Sequence, residues 1–209
     1  MICVQDKSKC SGCHACSSIC PKKCISLVAD EEGFLYPKVN EKECLNCNLC
    51  EQVCPFLNPI GISKDEAPIA YAAKNLDEGT RTKSSSGGVF TAIAEHVIGQ
   101  GGIVFGSAFD SPYNVVHIGV QKKDELQRLR GSKYVQSKIG NTYQEAKEAL
   151  VSGRVVLFTG TPCQIGGLKA FLKKDYPNLY TQDLICHGVP SPKIFKEYKK
   201  FIEKKYYKI

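Results

Sequence analysis

Residues 10–21 read CSGCHACSSICP and residues 44–55 read CLNCNLCEQVCP. Both follow one ruler, C-x2-C-x2-C-x3-C-P. It sets Cys10, Cys13, Cys16 and Cys20 before Pro21, and Cys44, Cys47, Cys50 and Cys54 before Pro55. Three thiolates three residues apart wrap one face of a cubane iron–sulfur cluster, and the fourth, after a short helical turn, belongs to the other cluster. The expected ligand sets are therefore Cys10, Cys13, Cys16 with Cys54, and Cys44, Cys47, Cys50 with Cys20. A structural zinc ion usually takes two well-separated pairs, which leaves zinc as the weaker alternative. The matched runs predict two 4Fe–4S clusters in a bacterial-ferredoxin-like module.

Working outward, residues 1–57 form this module, with a hairpin expected from Ile25–Val28 and Phe34–Val39 around the turn at Asp30–Gly33. Cys3 and Cys24 fall outside the ruler and are expected to pack as small apolar residues. His14, inside the first run, is expected to face solvent. Residues 58–68 are rich in Pro, Gly and polar groups and read as a linker.

Residues 69–209 change pattern. Strands are expected at Ile69–Lys74, Gly102–Phe109, Val115–Val120, Arg154–Phe158 and Leu179–Ile185. Helices are expected at Val89–Ile98, Thr142–Val151, Pro162–Lys173 and from Pro192 onward. Thr142 and Glu145 read as a capping box and Gly153 as that helix's stop. Alternating strands and helices imply an α/β layered domain with some parallel sheet. The fold class expected is an α+β dicluster ferredoxin-like head followed by an α/β layered domain, incomplete at its C-terminus.

The chain holds 28 Lys and Arg against 21 Asp and Glu, a formal charge of +7. Two oxidised cubanes at roughly −2 each would lower this to about +3. Much of the excess lysine lies after Lys193, alternating with Ile194, Phe195, Tyr198, Phe201 and Ile202 as on an amphipathic helix. With no nucleic-acid signature, no nucleic-acid partner is expected. No apolar run is long enough to span a bilayer and no charged-then-apolar leader precedes the first run. Cysteines spaced for metal suit a reducing, cytoplasmic setting.

Three strand-to-helix junctions are placed where α/β sheets bind ligands. Ser84–Gly88 leaves backbone N–H groups uncovered at a helix start, a phosphate site or else a plain cap with flexible glycines. At Gly160–Gln164, Thr161 fits a cap, Pro162 the first helical position and Gln164 a capping box, so Cys163 lies in the first turn, where the helix dipole favours thiolate. At Ile185–Pro190, Cys186 would share a sheet edge with Cys163, and His187 is either a proton donor or a plain turn residue. His96 and His117 carry no expected role. P-loop and dinucleotide fingerprints are absent.

These junctions, with the dicluster head, resemble the coenzyme F420 hydrogenase/dehydrogenase beta-subunit family. The matching stretches are SSSGGVF (84–90), GSKYVQS (131–137), FTGTPCQIGG (158–167) and DLICHGVPSP (183–192). The resemblance implies an iron–sulfur flavoprotein that holds FAD. It implies that Ser86, Gly87, Gly88, Lys133, Tyr134, Thr161 and Gln164 surround the flavin, with Cys163 and Cys186 close to it or to a cluster. Such proteins reduce a deazaflavin coenzyme or chlorophyll precursors; others accompany polysaccharide-synthesis proteins. Family members run close to twice this length, which implies a missing C-terminal half or a redox partner protein.

The expected function is an oxidoreductase, or its electron-input half, passing electrons through two clusters to FAD and a small-molecule acceptor. Two alternatives stay open. One is a non-catalytic electron-transfer subunit docking to a flavin-bearing partner. The other is a redox-silent protein linked to polysaccharide synthesis.

Overall fold

The computed structural model describes residues 1–59, 67–111 and 113–207. Most of the expected linker, residues 60–66, lies outside the described residues. The head contains two short helices, α1 (Ala15–Ile19) and α2 (Leu49–Gln52), and the hairpin β1 (Ile25–Ala29) and β2 (Leu35–Val39). The strands pair antiparallel, Ile25 opposite Val39. Asp30 closes the turn by accepting from the backbone N–H groups of Glu32 and Phe34.

In the second part a short helix α3 (Glu78–Thr82) precedes α4 (Val89–Gly99), β3 (Ile103–Phe109), β4 (Val115–Val120), α5 (Thr142–Val151), β5 (Val156–Thr159), α6 (Pro162–Leu172), β6 (Leu179–Gln182) and α7 (Pro192–Ile202). The sheet order is β4-β3-β5-β6; β3 and β4 are antiparallel, while β3, β5 and β6 run parallel. The sheet is therefore mixed.

Alternation along the strands decides the layering, because successive side chains point to opposite faces. Ile103, Phe105, Val156 and Phe158 face α5 and α6 and pack with Tyr143, Leu150, Leu168 and Phe171. Val104, Ala108, Val120 and Leu157 face α4, packing with Ala94, Val97, Leu126 and Leu129. Each large side chain buried this way contributes about 1.5–3 kcal/mol.

Several expectations are corrected. Ile69–Lys74 forms no strand: Ile69 and Tyr71 are exposed, and the segment pairs with none of the four strands of the sheet. β6 stops at Gln182 because its partner β5 ends opposite it, at Thr159. The Thr142–Glu145 capping box does not form; Asn141 is the cap, and Thr142 donates its hydroxyl to the Ile139 carbonyl. Cys3 is exposed rather than packed. His14 is buried rather than solvent-facing. Among the described residues no helix is long and apolar enough to cross a membrane.

Candidate functional site

The two cysteine runs repeat in backbone as well as in sequence. Gly12 and His14 take left-handed conformations (φ 63° and 66°), as do their counterparts Asn46 and Asn48 (φ 51° and 57°). These paired reversals curl each run round its own sulfurs, and a short helix follows each. Backbone N–H groups point at sulfur: Asn46 to Cys44 at 3.4 Å and Ile2 to Cys50 at 3.3 Å.

The sulfurs gather in two groups. Cys20, Cys44, Cys47 and Cys50 line one small apolar cavity with Ile25, Val39 and Leu49. Cys10, Cys13, Cys16 and Cys54 form the other. Burial pushes the Cys13 thiol up to about 11 and the Cys16 thiol to about 12, and the neighbouring sulfurs, Cys54 among them, add to this. Sets of four thiols drawn from both runs, desolvated and supplied with N–H donors, suit a cationic metal body that favours thiolate. Among the described residues no three such side chains crowd together as the ligands of one small ion would. The donor chemistry fits two cubanes.

Cys24 stands in the wall of the cavity lined by Cys20, Cys44, Cys47 and Cys50, its Sγ 3.4 Å from that of Cys20. Burial raises the Cys20 value, but the Cys24 thiol and the N–H groups of Cys24, Lys22 and Lys23 more than offset it. Cys24 is pushed up to about 11, first by that same contact.

A cleft of about 790 Å³ opens where the parallel strands end. Its walls are the 84–90 loop, residues 129–137, the turns after β5 and β6, and Ser11–Gly12 of the first cysteine run. Ser86, Gly87, Gly88, Lys133, Tyr134, Thr161, Cys163, Gln164, Cys186 and His187 all line it. Cys163 and Cys186 follow adjacent parallel strands, as a shared sheet edge requires. Cys163 also lies close enough to Cys10 and Cys13 to raise both thiols. The cleft therefore abuts the first sulfur group.

Gly87 admits no side chain: a Cβ there would stand 2.9 Å from the Ala73 carbonyl. Gly88 takes the left-handed conformation that opens α4 (φ 75°). Ser85 ties this loop to the opposite wall by accepting from the Ser132 N–H at 3.0 Å. Arg130 and Lys133 line the cleft against one carboxylate, Asp183. Lys133 donates to the carbonyls of Arg128 and Arg130 at 3.1 and 2.8 Å, and burial lowers it to about 8.

The wall behind Cys163 rests on His117. A carbonyl only accepts, so the 3.0 Å contact to Thr159 O places the ring proton on Nε2. Nδ1 then accepts from the Ser137 hydroxyl at 3.0 Å, and Ser137 Oγ accepts from Gln164 Nε2 at 2.8 Å. Gln164 Oε1 takes the Thr161 N–H at 3.0 Å, which caps α6. Burial lowers His117 to about 4, so it stays neutral at physiological pH.

Sequence reasoning gave His117 no role and overlooked Tyr143. The Tyr143 hydroxyl lies 2.9 Å from Cys13 O and 2.7 Å from Gln164 O, joining the first cysteine run to α6. Gly167 makes this approach possible, since a Cβ there would meet Tyr143 Oη at 2.9 Å and Cys13 Cβ at 3.1 Å. A long-range hydrogen bond of this kind leaves no local sequence signal.

Comparison with known proteins agrees with this layout. Residues 9–58 match the model of a 4Fe–4S dicluster domain. Residues 70–142 match that of the coenzyme F420 hydrogenase/dehydrogenase beta subunit N-terminal part, and residues 153–209 that of its C-terminal part. No curated protein matches. A chain of the F420-reducing NiFe hydrogenase complex from Methanosarcina barkeri is similar at 25% identity and TM-score 0.48, over 62% of this chain. The match covers 47% of that chain, so the present one spans about half its length. With a dicluster head followed in order by both parts of the beta subunit, the chain belongs to the coenzyme F420 hydrogenase/dehydrogenase beta-subunit family.

Proposed function

We propose that the chain is an iron–sulfur flavoprotein oxidoreductase component, which passes electrons from a redox partner through two 4Fe–4S clusters to FAD in the cleft and on to a deazaflavin-type acceptor. One observation carries this reading: Cys163 belongs both to the cleft wall and to the neighbourhood of the Cys10 and Cys13 thiols. Bound in the cleft, a flavin would supply the conversion between single electrons and a hydride, which clusters alone cannot perform.

The chain's own residues would do the holding. The Ser84–Gly88 loop offers uncovered N–H groups at the start of α4, suited to a diphosphate. Lys133 and Arg130 add positive charge beside it. Tyr134, 79% exposed, presents a ring for stacking. The His117–Ser137–Gln164 chain fixes the Cys163 turn and keeps it from relaxing into the cleft. Cys186 and His187 line the cleft on the turn after β6 and would contact the acceptor.

Anaerobic reconstitution followed by FAD titration tests the reading. Stoichiometric flavin uptake, with flavin reduction that depends on the clusters, is the expected result. Full cluster loading without flavin uptake would instead favour a carrier that docks to a flavin-bearing partner.

A further inference from the structure

Cys24 is not among the eight cysteines of the two runs, yet it stands beside one of their sulfurs. Its Sγ lies 3.4 Å from Cys20 Sγ. The cavity lined by Cys20, Cys44, Cys47 and Cys50 has Cys24 in its wall as well. The side chain is 6% exposed and packs in the same cluster as Cys50, Ile2 and Ile25. Its backbone is fixed too. Lys23 turns the chain through a left-handed conformation (φ 51°), and Cys24 O accepts from the Asn40 N–H at 2.8 Å just before β1 begins.

The other run has no such sulfur. Four residues beyond Cys54 stands Asn58, whose Nδ2 donates to Glu51 O at 2.8 Å and whose N–H donates to Cys54 O at 2.8 Å. The repeat is broken here: the same offset yields a thiol in one half and a turn-closing amide in the other.

We propose that Cys24 is a reserve ligand of the second cluster, the one expected on Cys20, Cys44, Cys47 and Cys50. The inference rests on that ligand assignment. When the iron–Cys20 bond opens, the Cys24 sulfur takes the iron and its thiol proton passes to the Cys20 thiolate beside it. One iron–sulfur bond breaks, one forms, and no electron changes hands. Among the described residues no cysteine outside the two runs stands within hydrogen-bond distance of the Cys54 sulfur, so that corner of the first cluster is not expected to exchange in this way.

The test uses the full chain, reconstituted anaerobically as wild type, Cys20→Ala, Cys54→Ala and Cys20→Ala/Cys24→Ala. Iron and sulfide are counted, and paramagnetic resonance is recorded after dithionite. Wild type should hold roughly eight irons. Cys20→Ala should keep them with one altered signal, whereas Cys54→Ala and the double variant should fall to about half. Equal loss in Cys20→Ala and Cys54→Ala would overturn the reserve role. Fewer irons in wild type would overturn the ligand assignment beneath it. Cys24→Ala reads the same contact without touching a ligand: a chelator should strip its second cluster several-fold faster than in wild type, with the first unaffected. Equal stripping rates would count against the proposal even if the Cys20 variant failed to fold.

Discussion

The hydroxyl of Tyr143 lies 2.9 Å from the carbonyl oxygen of Cys13, across 130 residues of chain. The same hydroxyl is 2.7 Å from Gln164 O, so one side chain fastens the first cysteine run to the helix that carries Cys163. Its single proton serves two acceptors, both in a water-poor setting that pushes the phenol well above its ordinary value.

Tyr143→Phe should therefore cost about 1–2 kcal/mol, the usual penalty for leaving buried carbonyls without a donor. Denaturant unfolding of the cluster-loaded protein measures it. The first cluster should also be lost sooner than the second on dilution, followed by absorbance and iron release.

Gly166 and Gly167 are neighbours with opposite expected responses. An added Cβ at Gly166 meets nothing within 4 Å, whereas one at Gly167 meets Tyr143 Oη, Cys13 Cβ and Cys13 O at 2.9–3.2 Å. Gly166→Ala should be neutral or stabilising by up to about 1 kcal/mol, as for glycine replaced inside a helix. Gly167→Ala should destabilise by about 1–3 kcal/mol through overpacking and weaken retention of the first cluster. Paired melting curves with iron analysis distinguish the two.

Lys133, lowered to about 8 by burial, is charged below that pH and neutral above it. Affinity for FAD should fall as pH rises through about 8, while Lys133→Met should bind about tenfold more weakly at pH 7 and show a flatter profile. In the absence of ligand the sign is reversed for stability. The lysine is costly to fold while charged, and that cost is relieved as pH climbs from about 8 toward 10.5. Flavin fluorescence quenching across pH 6.5–9.5 reads the first effect.

His117 titrates near 4 when folded and near 6.5 when unfolded. Between these values the unfolded chain binds the extra proton, so stability rises with pH through this window and is lost as pH falls through it. The contribution is up to about 3 kcal/mol. His117→Gln should flatten the pH dependence of the unfolding free energy between pH 4 and 6.5 by about one proton's worth, measured by urea unfolding.

The head was legible in the sequence because cubane ligation constrains residues only a few positions apart. Part of the cleft was legible for a related reason: two of its motifs, 158–167 and 183–192, are local turns that follow β5 and β6, and the parallel pairing of those strands brings both turns to one edge. What escaped were contacts made by distant segments. His117 reads as an ordinary strand residue until β3 pairs with β5 and brings Thr159 to its ring. Ile69–Lys74 shows the converse case: its composition suits a strand, but a strand needs a neighbour, and this exposed segment pairs with none of the sheet's strands.

The head is also buckled to the body at its hairpin tip. Ser191 donates its hydroxyl to Glu32 O, Lys193 donates to Glu31 O at 2.6 Å, and Gly33 has no room for a Cβ against Lys193. With Tyr143 as a second fastening, the module cannot swing between a donor and the cleft as a mobile carrier would. Electron transfer within this chain should then be insensitive to solvent viscosity, and thickening the medium with sucrose should slow arrival of the donor alone.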